Sequence, residues 1–208
     1  MIRVAIADDH QMFIDGIRSI LDNVSDITIV AEAKDGLELI KAVEKETPDI
    51  VLTDIRMPGM DGIAAVKYLS ENYSNIPVLA LSMFDQEEEV IDMLKAGAAG
   101  YIIKKAGKDE LVTAIHKLVN RGHYYSAAIS ANVHKWLENP EMVEETTALT
   151  KRERQILKLI ADGKTSQQIA RSLKISKYTV DTHRKNIHKK LDIKTNTGLV
   201  KYVLENLQ

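Results

Sequence analysis

The chain contains no cysteine, which removes disulfides, thiolate metal sites and cysteine nucleophiles together. The absence fits a reducing compartment. Nowhere does an apolar run reach the roughly 18 residues that a membrane span needs, and the opening MIRVAIADDH holds only an apolar run of strand length. Neither a secretory leader nor a membrane anchor is therefore expected; no membrane partner is assigned, and the cytoplasm is the expected compartment. Internal repeats and low-complexity tracts are also lacking, which sets aside repeat architectures.

What is present suffices for two small folded units. Hydrophobic residues make up 45% of the 208 positions, an ordinary globular fraction, so each half can build a core. The net charge of −2 conceals an asymmetry. Residues 1–121 carry 13 Lys and Arg against 21 Asp and Glu, a balance of −8. Residues 122–148 carry one basic residue against four acidic, and residues 149–208 carry 14 against five, a balance of +9. An acidic front and a basic back point to two domains with different partners, nucleic acid being the candidate for the back. On charge alone, a solvated basic face is the alternative.

Periodicity sharpens the division. Short β-branched or apolar runs at 2–7, 27–33, 50–53, 77–82 and 100–103 have strand length. Between them, 12–21, 37–43, 63–69, 90–94 and 111–119 carry apolar residues at helical spacing. Such alternation predicts an α/β domain, a doubly wound five-stranded parallel sheet, over residues 1–121. Residues 122–148 read as a linker with a short helix, capped by Ser126, ending near Trp136 and stopped at Asn139-Pro140; the acidic stretch 141–148 follows. Residues 149–208 read as all-α, with helices over 151–161, 166–173, 177–191 and 197–207.

In a parallel sheet, chemistry gathers beyond the carboxyl ends of the strands. Asp8 and Asp9 end the first strand and Asp54 the third, so residues remote in sequence converge on one edge. Crowded carboxylates repel, and a cation relieves the repulsion. An all-oxygen set suits Mg²⁺, with Mn²⁺ as the alternative. A carboxylate beside such a cation can act as nucleophile toward a phosphoryl group. Ser82 follows the fourth strand and Lys104 the fifth, where a hydroxyl and an ammonium can meet phosphoryl oxygens. Taken singly, an Asp here caps a helix and Ser82 or Lys104 is an ordinary surface residue. Five polar groups at four strand ends argue for a site.

The runs Ala5-Ile6-Ala7-Asp8-Asp9-His10, Asp54-Ile55-Arg56-Met57-Pro58-Gly59-Met60-Asp61-Gly62 and Gly100-Tyr101-Ile102-Ile103-Lys104 resemble those of receiver domains in two-component response regulators, with matching spacing. The resemblance covers residues 1 to about 121 and implies a flavodoxin-like fold. It implies Asp54 as phospho-acceptor, Asp9 as a direct Mg²⁺ ligand, Asp8 acting on the metal mainly through water, and the Arg56 backbone carbonyl as a further ligand. Asp54 is then itself part of the metal shell. Ser82 resembles the switch hydroxyl, Tyr101 the switch aromatic and Lys104 the phosphoryl-pairing lysine. Lys105 stands where many receivers have proline, a trait shared by the subgroup with this type of output domain. The implied phosphoryl source is a sensor histidine kinase or a small phosphodonor. Its transfer would draw Ser82 and Lys104 inward, rotate Tyr101 and remodel the surface at 86–95.

In the back half, Thr150 and Glu153 form the pattern of a capping box. The stretch 166–180 reads as helix, tight turn, helix, with Ser176 placed to cap the second helix. Along that second helix Val180, Ile187 and Leu191 form an apolar stripe bordered by His183 and Arg184. Tyr178, Asp181, Thr182, Lys185, His188 and Lys189 lie on the opposite, mostly basic face. Residues 149–208 resemble LuxR-type helix-turn-helix domains, and the pairing with a receiver resembles the NarL/FixJ family. The resemblance implies double-stranded DNA as partner, with Lys177, Thr179, Asp181, Thr182, Arg184, Lys185 and Lys189 as the contacting set. Asp181, Thr182 and Lys185 occupy base-reading positions, while Lys177, Arg184 and Lys189 suit phosphates. Asp181 replaces a lysine found in some members; it either accepts from cytosine or excludes unsuitable sites. Leu199, Val200, Val203 and Leu204 on the last helix are implied as a homodimer contact in the phosphorylated protein; completing the domain core is the alternative.

None of His10, His116, His123, His134, His183 and His188 stands at ligand spacing with carboxylates, so none is given a catalytic or zinc role. Trp136 reads as a packing anchor. The leading expectation is a transcription regulator, not an enzyme, gated by phosphorylation. A Mg²⁺-dependent phosphohydrolase using Asp54, and a regulator that binds DNA whatever its phosphorylation state, are the alternatives.

Overall fold

The computed structural model describes residues 1–83, 87–127, 137, 149–173 and 175–206. The helix expected from Ser126 to Trp136, the Asn139-Pro140 stop and the acidic stretch 141–148 fall outside them, Ser126 and Ala127 apart. The chain divides into two compact units, Met1–His134 and Lys135–Gln208.

In the first unit, β1 (Ile2–Ala7), β2 (Ile27–Ala33), β3 (Ile50–Asp54), β4 (Val78–Ser82) and β5 (Gly100–Ile103) alternate with α1 (Gln11–Leu21), α2 (Gly36–Glu46), α3 (Gly62–Asn72), α4 (Glu87–Lys95) and α5 (Lys108–Val119). Every pairing is parallel. The central strands are buried on both faces, as their unbroken apolar runs require. One core joins Val4, Ile6, Leu52, Leu79 and Leu81 of the sheet to Ile14, Ile17 and Leu21 of α1 and Leu111, Ile115 and Leu118 of α5. On the other side α2 packs on α3 and α3 on α4. Two helices begin a residue before their apolar pattern because an aspartate caps each: Asp35 accepts from Leu37 and Glu38 N–H at 2.9 and 2.8 Å, and Asp61 from Ala64 N–H at 2.9 Å.

The sheet has six strands, not the five expected, in the order β2-β1-β3-β4-β5-β6. The sixth, β6 (Tyr124–Tyr125), lies where the sequence suggested linker, and Tyr124 and Tyr125 pair with Gly100 and Tyr101 of β5. Two glycines make room for it. A side chain at Gly100 would stand 2.9 Å from the Tyr124 carbonyl oxygen, and one at Gly122 would stand 2.8 Å from the Lys117 carbonyl oxygen. Arg121 takes a left-handed φ of 59° to turn the chain after α5, and the Ser126 N–H continues the ladder to the Tyr101 carbonyl at 2.9 Å.

The second unit holds four described helices: α6 (Lys151–Ala161), α7 (Ser166–Leu173), α8 (Lys177–Leu191) and α9 (Asn196–Asn206). The capping box forms, with Glu153 N–H donating to Thr150 Oγ1 at 3.1 Å and Thr150 N–H to Glu153 Oε2 at 2.9 Å. Ser176 Oγ accepts from Thr179 N–H at 3.0 Å at the head of α8. Ile156, Leu157, Ile160, Ile169, Val180, Ile187 and Leu199 form the core. Lys190 of α8 reaches Glu153 at 2.8 Å, so the buried carboxylate of the box also ties α8 to α6.

Candidate functional site

The sheet order reverses at β1, whose neighbours are β2 and β3, and the acidic residues sit at the carboxyl ends there. Asp8 follows β1, held by its N–H to the Ala33 carbonyl at 3.0 Å, and its side chain is fully buried. Asp54 closes β3 at 7% exposure. Its Oδ1 accepts from the Ile55 N–H at 2.8 Å, and its Oδ2 lies 2.9 Å from Lys104 Nζ. Lys104 Nζ is also 2.5 Å from Asp8 Oδ2. Burial pushes the Asp54 carboxyl above its ordinary range; the charge and hydrogen bond of Lys104 oppose this, Asp8 adds to it, and the Ile55 N–H opposes it.

Asp61-Gly62, part of the motif that follows Asp54, has a physical task. A Cβ at Gly62 would fall 1.9 Å from the Asp54 carbonyl oxygen, so only glycine lets α3 start so close to the end of β3. Gly59 takes a left-handed φ of 70° in the same turn. The Arg56 side chain leaves the site, with Nε donating to Glu89 of α4 at 3.0 Å.

Ser82 and Lys104 meet because β4 and β5 pair in register, and the Lys104 N–H donates to the Ser82 carbonyl at 2.6 Å. Ser82 is 4% exposed and Tyr101 is fully buried. Asp8, Asp9, His10 and Asp54 each offer a ligand atom, all within 4.8 Å of one another. The expectation that no histidine stands at ligand spacing with carboxylates is therefore corrected for His10. His10 Nδ1 lies 2.8 Å from Asp9 and 3.2 Å from Asp8, brought there by the turn that ends β1. His116 likewise pairs with Asp26 at 2.8 Å, away from this edge. Three carboxylates against one buried ammonium leave a negative excess that a hard divalent cation fits.

In the second unit Lys177, Asp181, Thr182, Lys185 and Lys189 are exposed along α8, and Arg184 is half-buried. Lys177 Nζ pairs with Asp181 at 2.7 Å, one turn on. Burial would raise the Asp181 carboxyl, but hydrogen bonds from Lys177 and Ser166 and the charges of Lys177 and Arg184 hold it below the ordinary range. Arg184 donates to Asn196 Oδ1 at 2.8 Å. Thr179 departs from the expected contacting set. It is 5% exposed and its hydroxyl sits 2.9 Å from Ser176 Oγ, so it belongs to the helix cap. Leu199 departs from the expected dimer face, because it is fully buried in the core; Val203 packs partly against that core, Val200 is half-buried and Leu204 is 62% exposed. Among the described residues no helix is long and apolar enough to cross a membrane.

An acidic edge on a parallel α/β sheet and a basic helix-turn-helix unit together define a signalling protein with a DNA-binding output. The receiver domain family of response regulators matches residues 4–116, and the luxR family of bacterial regulatory proteins matches residues 147–203. The chain is 36% identical to the transcriptional regulatory protein MctR of Rhizobium johnstonii over 99% of this chain and 94% of that one. It is 34% identical to the oxygen regulatory protein NreC of Staphylococcus epidermidis over 98% and 97%. Among solved structures it resembles RcsB from Salmonella enterica serovar Typhimurium, bound to a promoter in the presence of phosphomimetic BeF3−, with a TM-score of 0.63, 25% identity and 97% of each chain covered. The chain belongs to the response regulators that join a receiver domain to a LuxR-type DNA-binding domain, and it is a regulator of transcription, not a classical enzyme.

Proposed function

We propose that Asp54 is phosphorylated in a Mg²⁺-dependent reaction and that the acyl phosphate controls dimerisation and sequence-specific DNA binding. The observation that carries this reading is the buried Asp54 with Lys104 at 2.9 Å and Asp8 beside them. One Asp54 oxygen attacks the phosphorus of a phosphohistidine or a small phosphodonor such as acetyl phosphate. The new P–O bond forms as the P–N or P–O bond to the donor breaks, and the leaving group departs with the electron pair. Asp9, Asp54 and the Arg56 carbonyl would hold the cation, Asp8 acting mainly through water, with Mn²⁺ able to substitute. When bound, the cation offsets phosphate charge in the transition state. Lys104 supplies a positive charge to the transferred group and Ser82 a hydroxyl, so both act as groups touching the reacting atoms.

Phosphorylation adds about one negative charge and new acceptor oxygens. Ser82 and Lys104 follow them, and the backbone bond between the two makes their strands move together. Tyr101 is on the same strand as Lys104, and its carbonyl holds the Ser126 N–H, where the chain leaves the sheet. A shift of β5 is thereby felt at the start of the segment leading to the output domain. The domain limits that suit this mechanism are 1–121 for the receiver, 122–148 for the linker and 149–208 for the DNA-binding domain. Asp181, Thr182 and Lys185 read bases, Lys177, Arg184 and Lys189 hold phosphates, and Val200, Val203 and Leu204 remain the dimer contacts. A sensor histidine kinase or a small phosphodonor is the phosphoryl source, and the cytoplasm is the compartment.

The test is a DNA-binding titration with and without acetyl phosphate and Mg²⁺, for the wild type and Asp54→Asn. Tighter binding only for phosphorylated wild type supports the gate; equal affinity in all four conditions overturns it. Within the same assay Lys185→Ala lowers affinity by about 1–3 kcal/mol and relaxes specificity, and Lys189→Ala mainly reduces the salt slope, by about one.

A further inference from the structure

Lys104 is held by three groups, and only two are carboxylates. Besides Asp8 and Asp54, the ring of Phe13 lies under the ammonium, 4.5 Å from Nζ to the ring centroid. The Lys104 side chain is 4% exposed, so the ring contact replaces water instead of competing with it. Phe13 stands in the first turn of α1, its N–H bonded to the His10 carbonyl at 2.9 Å, so the turn that places Asp8 and Asp9 also places the ring. Beside Phe13 and Lys104 lies an apolar cavity of about 140 Å³, lined also by Met12, Ile17, Ile103 and Leu111.

A lysine stem is long and rotates freely, and a carboxylate alone fixes distance better than direction. Asp8, at 2.5 Å, also draws Nζ toward itself. An aromatic face attracts a cation without supplying a formal counter-charge, so the charge stays available to a phosphoryl group. Phe13 also closes the side on which the cavity lies. Without the ring, Nζ gains room to swing out of line.

We propose that Phe13 is a positioning residue for phosphoryl transfer, acting through Lys104 by holding its ammonium beside Asp54. This rests on the reading of Asp54 as phospho-acceptor. The face of the ring is what matters, so the size of the side chain alone does not substitute for it.

The experiment uses the full chain as wild type, Phe13→Leu and Phe13→Tyr. Two quantities are read: the rate of Asp54 phosphorylation by acetyl phosphate with Mg²⁺, and the NMR shift of the Lys104 ε-methylene protons in lysine-labelled protein. In the wild type those protons are shifted upfield by the ring. Phe13→Leu loses the upfield shift and slows phosphorylation by about two- to thirtyfold, the span of a cation–π contact between exposed and desolvated settings. Phe13→Tyr keeps both the shift and the rate. Phosphorylation of Phe13→Leu at the wild-type rate overturns the proposal, as does a Phe13→Tyr variant that keeps the shift but is as slow as Phe13→Leu. Wild type that takes up no phosphoryl group on Asp54 overturns the phospho-acceptor reading itself, and with it the role assigned to Phe13 in transfer. The Lys104 shift then still reports separately whether the ring holds the ammonium.

Discussion

Replacing Asp54 with asparagine tests the electrostatic account of the site without any phosphodonor. The wild type buries two carboxylates, Asp8 and Asp54, around the single ammonium of Lys104. Asparagine keeps the shape and an acceptor for the Ile55 N–H at 2.8 Å, removes one buried charge, and leaves Lys104 with Asp8. Breaking a buried pair costs about 3–5 kcal/mol when it strands an uncompensated charge, but here Lys104 keeps Asp8, so the exchange removes a surplus buried carboxylate and strands nothing. Burial and Asp8 together outweigh Lys104 and the Ile55 N–H at Asp54, so the net effect is a small stabilisation, about 1 kcal/mol, on the scale of a modest buried-charge imbalance. For a unit of this size that raises the melting temperature by about 3–5 °C. The direction with pH follows from burial holding the Asp54 carboxyl above its unfolded value. A group raised in this way contributes stability that is complete below the unfolded carboxylate range and is lost as pH rises through the folded value. In metal-free buffer the variant is therefore the more stable at neutral pH, and its advantage shrinks on acidification. Under the proposed function Mg²⁺ reverses the order, since a ligand at a hundred times its Kd adds about 2.7 kcal/mol to the protein that binds it, and the variant lacks one of the proposed metal ligands. Scanning calorimetry of the full chain in EDTA and in Mg²⁺, across the acid range, reads all three effects. A variant that melts below wild type at neutral pH without metal, or whose advantage grows as pH falls, refutes the burial argument.

Two further outcomes test the backbone and the output domain. Gly62→Ala puts a Cβ where the Asp54 carbonyl oxygen stands, at 1.9 Å, so α3 or the end of β3 must move; stability falls by about 1–3 kcal/mol, and acetyl phosphate labels the variant more slowly. Leu199→Ala lowers the stability of the helical unit by about 2–5 kcal/mol because the residue is fully buried, whereas Leu204→Ala, at an exposed position, leaves the melt unchanged and weakens self-association in sedimentation of the phosphorylated protein.

Much of the first unit was legible because buried parallel strands announce themselves. The runs Val4–Ala7 and Ile50–Leu52 are continuously apolar, and the polar residues that follow each, Asp8 and Thr53-Asp54, mark the edge where a site forms. The Thr150–Glu153 box was equally plain, since both its bonds lie within four residues. What stayed hidden depended on contacts between distant segments. β6 is two residues long, and its existence rests on the space that Gly100 and Gly122 leave. His10 joins the carboxylates through a turn that apolar periodicity does not register. Thr179 carries the polarity of a DNA contact, yet the cap geometry turns its hydroxyl toward Ser176. Leu199 and Leu204 are the same residue type on one helix, and only the packing of α9 on α6 separates core from surface.

Under the proposed function the coupling begins inside the sheet, at β5, which Lys104 follows. Lys104, the proposed partner of the phosphoryl group, and Tyr101 share the four-residue β5 and its immediate end. The Lys104 N–H is fixed to the Ser82 carbonyl at 2.6 Å on one side. On the other side the Tyr101 carbonyl holds the Ser126 N–H at 2.9 Å, and Tyr125 is paired with Tyr101. An edge strand of two residues has few bonds to lose, so a small displacement of β5 costs it a large fraction of its pairing. A strong, long β6 would absorb the same displacement without release. Under the proposed function, the brevity of β6 is thus what suits it to pass a signal from Asp54 to the chain that leads outward.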